Sequence, residues 1–148
     1  MMRRRRGRRL GFSAPVDDQR GAPTSAADLA AAVVRVAPRL LAAPAGDEAF
    51  GVFHLSGAPD ITWHGFAAAI FAGVAARGRR APKLNTLPTS AYPMPTRRPA
   101  DSRLDCSRIA ATHGIGRPDW RPALNRCLDE LLGPSAEPER AQAAAAVA

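Results

Sequence analysis

A proline-rich stretch of twenty residues sets the strongest limit on how this 148-residue chain can fold. The stretch reads TLPTSAYPMPTRRPADSRLD, residues 86–105, and it holds four prolines and three arginines. Proline fixes φ and has no amide hydrogen to donate, so a regular helix or a central strand cannot run through it. We therefore predict a long, rigid loop that separates two regularly structured parts of the chain.

Four helices are predicted around this loop from their capping residues and apolar spacing. The first follows Ser25, with Asp28 three residues later as in a capping box, and should end or kink near Ala37 because Pro38 comes next. The other three are predicted from paired start and stop signals, which are Thr62 with Gly78, CSRIAATH with Gly114, and Asp119 with Gly133.

Three short apolar runs are typical of strands: LGFSAPV (10–16), VFHLS (52–56) and KLNTL (83–87). The segment DDQRGAPTS (17–25) is predicted to be a turn-rich loop. Together these elements indicate a small α/β unit, of α+β type if it stands alone, over residues 10–133. We expect Trp63 and Trp120 in its core.

The positive charge of the chain lies mainly at one end. The formal net charge is +8, but six arginines fall between Arg3 and Arg9, so the remainder is nearly balanced. Residues 1–9 are predicted to be a disordered, solvated arm, and residues 134–148 a disordered tail. The alternative is that the arm binds nucleic acid. Nucleic-acid-binding segments usually place aromatic residues among their basic ones for base stacking, and no aromatic residue alternates with these arginines.

Several chemistries are disfavoured by the spacing of reactive residues. His54, His64 and His113 are far apart, and none has a cysteine or histidine partner at metal-ligand spacing, so no metal site is predicted. Cys106 and Cys127 are interpreted as small buried residues. Gly114 and Gly116 begin a dinucleotide-binding spacing, but Asp119 stands where its third glycine should be and no strand precedes it. No apolar run approaches the roughly 18 residues that span a membrane, and a cytoplasmic protein is expected.

The two rigid polar loops, residues 17–25 and 86–105, are the candidates for a ligand site. Proline reduces the entropy that a loop loses when it becomes ordered, and arginine offers planar donors suited to a pyrophosphate. Arg97 and Arg98 are the residues of that kind in the second loop. The alternative is that these arginines, with Arg103, cap helix ends and pair with Asp101 and Asp105.

At these residues the chain resembles the dTDP-4-dehydrorhamnose reductases, which are extended short-chain dehydrogenases. The resemblance covers about residues 10–132 and is carried by DDQRGAPTSAADLA, GVFHLSG, TWHGFAAAIF, LNTLPTSAYPMPTRRPADSRLD and PDWRPALNRCLDEL. Its most specific part is close to the family pattern PT-x-x-YP-x-PA-x-RP-x-x-S-x-L. This chain departs from that pattern at Thr96, where alanine is usual.

The resemblance implies the carboxyl-terminal, sugar-nucleotide-binding part of a Rossmann-type reductase. In that family the amino-terminal half carries the NADPH-binding glycine turn and a catalytic Tyr-x-x-x-Lys pair. Here the only tyrosine is Tyr92 and the only lysine is Lys83, in the wrong order and spacing. The resemblance therefore implies that this chain alone binds no cofactor and has no catalytic residues. An internal start or an upstream frameshift would give such a beginning, and the arginine arm would then be a remnant.

By resemblance, a cleft for a dTDP-sugar substrate is assigned to Gln19, Pro23, Thr24, Arg97 and Arg98. Four further residues, Pro93, Pro95, Pro99 and Ser102, are expected to set the shape of the loop.

Two functions from different classes follow. The first is substrate binding by a truncated reductase that is inactive alone, unless a separately encoded nucleotide-binding half docks onto it. The second is a small nucleic-acid-binding module acting through the arginine arm. Binding through the arm would weaken steeply with salt, whereas sugar-nucleotide binding would be lost on replacing Arg97 and Arg98.

Overall fold

The computed structural model describes residues 12–91, 96 and 98–135. These residues form four α-helices and four very short strands, which confirms the predicted α/β class. The predicted arm (1–9) and nearly all of the predicted tail (134–148) lie outside the described residues. The elements are β1 (Phe12–Ser13), β2 (Arg20–Gly21), α1 (Ala26–Ala42), β3 (Ile61–Thr62), α2 (Trp63–Ala76), β4 (Lys83–Leu84), a 3-10 turn (Thr89–Ala91), α3 (Ser107–His113) and α4 (Trp120–Leu132).

The strands form two separate pairs. β1 runs parallel to β4, with Phe12 opposite Lys83, and a further bridge joins Val16 to Leu87. β2 runs antiparallel to β3, with Arg20 opposite Thr62. The prediction of a turn-rich loop over 17–25 is therefore wrong at Arg20–Gly21, because the pairing partner of these residues lies forty residues away and leaves no local signal.

The predicted helix caps are confirmed. The side chains of Ser25 and Thr62 accept hydrogen bonds from the amides of Asp28 and Gly65, each at 3.0 Å. Asp119 accepts one from the amide of Arg121 at 2.9 Å. These bonds satisfy amides that a helix start leaves without partners inside the helix. Three glycines with positive φ follow the carboxyl ends of α2, α3 and α4, namely Gly78 (66°), Gly114 (64°) and Gly133 (90°).

The first helix does not end near Ala37, where an end was one of the two predicted outcomes. α1 continues through Pro38 to Ala42. Its last turn is held from outside the helix, because the Arg39 guanidinium donates to the Thr112 carbonyl and pairs with Glu48 at 3.3 Å. Proline removes one amide hydrogen bond from the helix, and these contacts join the last turn to neighbouring segments.

The segment VFHLS does not form the predicted strand. Its alternation is present, since Phe53 and Leu55 pack against the core while Val52 is exposed. Its carbonyls, however, are not part of a strand ladder. Arg108 donates to the carbonyl oxygens of Val52 at 3.1 Å and Phe50 at 3.4 Å. A side chain thus takes the place of a neighbouring strand.

The core is modest and lies between α1 and α3. Its buried members are Ala32, Cys106, Ile109 and Ile115. A second contact joins α2 to α4, where the rings of Phe66 and Trp120 meet edge to face at 5.4 Å.

Two of the buried residues predicted from sequence are exposed instead. Trp120 is only 3% exposed, as predicted, but Trp63 is 59% exposed because α2 begins at the rim of a cavity. Cys106 is buried and Cys127 is exposed, so the interpretation of Cys127 is also wrong. None of the helices in the described ranges combines the length and apolar character needed to cross a membrane.

Candidate functional site

The carboxyl end of the proline-rich stretch runs alongside β2. The Arg20 amide donates to the Ala100 carbonyl at 2.8 Å, and the Ser102 amide donates to the Arg20 carbonyl at 2.9 Å. The Ser102 hydroxyl donates to the same carbonyl at 3.0 Å. A parallel bridge between Arg20 and Asp101 results, and it joins the two loops that the sequence singles out.

The beginning of the proline-rich stretch is fixed at Thr89. Its amide donates to both carboxylate oxygens of Asp18, at 2.9 and 3.0 Å, and its hydroxyl donates to Asp18 at 2.6 Å. Gln19 donates to the Thr89 hydroxyl at 2.9 Å. The hydroxyl of Thr89, followed by its amide, holds the pKa of the Asp18 carboxyl below its usual range. Residues 18–20 therefore make hydrogen bonds to both ends of the segment from Thr89 to Ser102.

Asp17 has different partners from Asp18. It accepts a hydrogen bond from the Thr62 hydroxyl at 2.7 Å and lies 3.8 Å from Nδ1 of His64. The two adjacent carboxylates therefore take part in separate contacts.

One cavity, which we call the apolar cavity, has a volume of about 590 Å³. It lies where β2, the starts of α1 and α2, and α4 meet. Thr24 is held at its edge, where its hydroxyl donates to the Ala22 carbonyl at 3.1 Å and accepts from the Gly57 amide at 3.0 Å. The other residues that line the apolar cavity include Pro23, Ser56, Trp63, Phe66, Ser102, Leu104, Leu124 and Cys127.

A second cavity, which we call the polar pocket, has a volume of about 610 Å³. It is lined by Asp18, Thr89, Arg98, Pro99 and Ala100. Along the two parallel segments, Asp18 and Ala100 precede the Arg20–Asp101 bridge, while Gly21 and Ser102 follow it and line the apolar cavity. The two cavities therefore lie at the two ends of one bridge.

Arg103 and Asp105 have structural roles. Arg103 donates from Nε and Nη2 to Asp101 at 2.6 to 3.0 Å, and this contact holds the pKa of the Asp101 carboxyl at about 2. Asp105 accepts from the Ser107 amide at 2.9 Å, which lowers its pKa. Among the arginines for which pairing with aspartate was the alternative, Arg103 does pair with Asp101. Arg98 instead lines the polar pocket.

Three of the five residues assigned to the cleft from sequence line one of the two cavities. Pro23 and Thr24 line the apolar cavity and Arg98 lines the polar pocket. Gln19 is engaged with Thr89. Arg97, Pro93 and Pro95 lie outside the described residues. Pro99 and Ser102 line the polar pocket and the apolar cavity, respectively.

Sequence reasoning missed Asp18 and Thr89 in the polar pocket, and Ser56, Trp63 and Leu104 in the apolar cavity. A partial signal exists for Thr89, which lies in the family pattern. Trp63 fits an apolar helix stripe equally well as a core residue, so periodicity could not identify it.

Neither a dinucleotide-binding turn nor a cluster of metal ligands is found among the described residues. β3 passes directly into α2, and β2 reaches α1 through Ala22–Ser25, so neither junction is the glycine-rich turn that approaches a pyrophosphate. In the part of the chain that the structure describes, no three His, Cys, Asp or Glu side chains come together as metal ligands.

Comparison with known proteins gives one consistent family. The model of the RmlD substrate binding domain matches residues 2–132. A dTDP-4-dehydrorhamnose reductase of Sinorhizobium fredii is 39% identical over 117 residues, which are 79% of this chain and 39% of that protein. One of Burkholderia thailandensis is 41% identical over 122 residues, which are 79% of this chain and 41% of that protein. The chain thus spans about two fifths of the length of these relatives.

Solved structures agree with these relatives. The crystal structure of a dTDP-4-dehydrorhamnose reductase from Clostridium acetobutylicum has a TM-score of 0.69 and 28% identity, covering 82% of this chain and 39% of that one. A reductase of the same name from Bacillus anthracis, in complex with NADP, has a TM-score of 0.63 at 22% identity, which shows the fold.

Proposed function

Because this chain belongs to the RmlD substrate-binding domain family, we propose that it binds a dTDP-sugar across the two cavities beside the Arg20–Asp101 bridge. The ligand class follows from the relatives, which are named dTDP-4-dehydrorhamnose reductases. The proposal includes a cytoplasmic location and a substrate-binding unit over residues 10–133.

One observation carries the proposal: an apolar cavity and an arginine-lined pocket adjoin a single strand bridge. A nucleotide sugar combines uncharged rings with a pyrophosphate, so it needs both environments. Each cavity has a volume within the range of about 300–1,000 Å³ that is usual for small-molecule sites. The bridge fixes the two environments relative to each other.

Arg98 is the proposed pyrophosphate-binding residue, with Arg97 beside it in sequence. Guanidinium groups bind phosphate oxygens through paired, charge-assisted hydrogen bonds. Asp18 brings negative charge to the same pocket, but its oxygens accept hydrogen bonds from Thr89. The role we assign to Asp18 and Gln19 is to hold Thr89, while Arg98 faces the ligand.

One of the two ring systems that the pyrophosphate joins is assigned to the apolar cavity. Trp63 and Phe66 offer aromatic surface there, and Thr24, Ser56 and Ser102 supply a few hydroxyl groups. A mostly apolar wall with a few placed polar groups is typical of sites that bind and orient an organic ligand.

Reduction of the bound sugar needs groups from outside this chain. NADPH would supply hydride, and a Tyr-x-x-x-Lys pair would supply the proton, both carried by a complementary nucleotide-binding half. This chain would bind and orient the sugar nucleotide and would be inactive alone. Apolar side chains left exposed on the described surface, among them Val33, Val34, Leu41 and Val52, support docking of such a half.

The test is calorimetric titration of the full chain with dTDP. We expect saturable binding that Arg98→Ala weakens about tenfold, because a charge-assisted contact to phosphate is lost. The matched control is Arg126→Ala, an exposed arginine on α4, which should bind like the wild type.

Two outcomes would contradict the proposal. In one, the wild-type chain shows no heat of binding with dTDP at millimolar concentration. In the other, it binds a short DNA duplex with steep salt dependence, which would support the arginine-arm function instead.

A further inference from the structure

Asp60 lies between arginines from two different parts of the chain. Arg117 donates from Nη2 to Asp60 Oδ1, and Nη1 of Arg103 lies 3.8 Å from Asp60 Oδ2. The Asp60 side chain is 24% exposed, so the carboxylate is partly shielded from water. The Arg117 side chain is 29% exposed and that of Arg103 is 46% exposed, so the pair with Arg117 is the less screened of the two.

The Arg103 side of this cluster leads to one wall of the apolar cavity. Arg103 holds Asp101 through two nitrogens, and Asp101 forms the bridge to Arg20. The next residue, Ser102, lines the cavity. Asp60 therefore contacts the guanidinium that fixes this segment.

The Arg117 side leads to a different part of the cavity lining, at Thr24. Besides Asp60, Nη2 of Arg117 donates to the Gly57 carbonyl at 2.6 Å. The Gly57 amide donates to the Thr24 hydroxyl at 3.0 Å, and Thr24 lines the cavity. The Nε atom of Arg117 is buried with no hydrogen-bond partner within the described structure, so the bonds made by Nη2 define the orientation of its guanidinium.

We propose that Asp60 is a positioning residue that sets the separation between the Thr24 wall and the Ser102 wall of the apolar cavity, acting through Arg117 and Arg103. The inference rests on the proposed function for its effect on ligand binding, but its effect on the two walls can be measured without a ligand. Asp60 does not touch the proposed ligand site, since it is not among the residues lining either cavity.

Replacing the carboxylate by an amide keeps the size of the side chain and removes its charge. Asp60→Asn would leave Arg117 without its carboxylate partner, while Arg103 would keep only its pair with Asp101. Removal of one partner of a shielded ion pair is costly because the remaining charge loses its compensation. We expect Arg103 and Arg117 to separate, and the Gly57 and Ser102 segments to loosen together.

Amide hydrogen exchange by NMR on the full chain tests the effect on the walls. In Asp60→Asn, exchange at the Gly57 and Ser102 amides should accelerate together, while that of Leu128 in α4 stays unchanged. The matched control is Glu48→Gln, which removes the carboxylate of the ion pair with Arg39 elsewhere on the surface. Unchanged exchange at either wall amide would overturn the proposal.

Titration with dTDP tests the effect on binding. We expect about tenfold weaker binding for Asp60→Asn and partial recovery for Asp60→Glu, which restores the charge. If the wild type binds dTDP and Asp60→Asn binds equally well, the positioning role is wrong while the proposed function stands. If the wild type does not bind dTDP, the proposed function fails and the exchange experiment still decides the positioning role. Should Asp60→Asn not fold, Arg103→Gln interrupts the same cluster and is read by the same two amides.

Discussion

Gly57 shows how a single residue sets the shape of the candidate site. A Cβ atom at this position would overlap the carbonyl oxygen of Pro23 and lie 3.3 Å from the carbonyl oxygen of Pro118. Three chain segments therefore meet where a side chain is absent. This close approach allows the Gly57 amide to reach the Thr24 hydroxyl.

We predict that Gly57→Ala lowers the free energy of unfolding by about 1–3 kcal/mol, the usual cost of overpacking. The added methyl group would push apart two backbones, which cannot rotate away as a side chain can. Urea denaturation measures the change. Gly116→Ala is the matched control, because a Cβ there meets nothing within 4 Å. Equal stability of the Gly57 variant and the control would contradict the packing argument.

Some properties of single residues could be predicted from the sequence and others could not. The caps formed by Ser25, Thr62 and Asp119 were predictable because the donor and acceptor lie within three residues of each other. The exposure of Trp63 and Cys127 was not, since an apolar stripe does not reveal which part of it faces a cavity. The roles of Asp18 and Thr89 depend on a contact between residues 71 positions apart.

At the scale of elements, Arg77 holds the end of α2 against α4. Its side chain is only 3% exposed and donates to the carbonyls of Gly73, Asn125 and Gly133 at 2.8 to 3.1 Å. It also pairs with Asp129 at 2.6 Å. One buried guanidinium thus satisfies backbone groups in both helices and at the end of α4.

Arg77→Ala should lower the free energy of unfolding by about 2–3 kcal/mol, because hydrogen bonds to a charged group are lost and carbonyls are left with fewer partners. The free energy of unfolding of Arg77→Lys should lie between those of the wild type and Arg77→Ala, since an ammonium group cannot reach all of these acceptors. Chemical denaturation gives the values. The control is Arg79→Ala, an exposed arginine just after α2. A loss no larger than that of the control would show that the helix pair does not depend on Arg77.

Helices were easier to predict than strands in this chain. The starts of α1, α2 and α4 are encoded by local caps, and the end of α2 by Gly78. The strand β2 and the unpaired segment VFHLS depend on which distant segment lies alongside, and sequence alternation does not specify that. The continuation of α1 past Pro38 likewise depends on Thr112 and Glu48, which lie outside the helix.

At the scale of the whole molecule, the described chain buries few large apolar side chains and leaves several of them exposed. No large side chain within the described ranges is fully buried, while Leu41 is 88% and Val52 is 73% exposed. The parallel pair of β1 and β4 is two residues long, whereas parallel sheets are normally larger and covered on both faces. These two features support the proposal that a complementary half docks onto this chain.

The measurement that tests the central claim most directly is a titration of the isotope-labelled full chain with dTDP, followed amide by amide by NMR. The account predicts saturable shifts at Gly21, Thr24 and Ser102 beside the Arg20–Asp101 bridge, with the Ile109 amide in the core unaffected. Absence of shifts at those three amides under saturating dTDP, or shifts confined to residues away from both cavities, would contradict it.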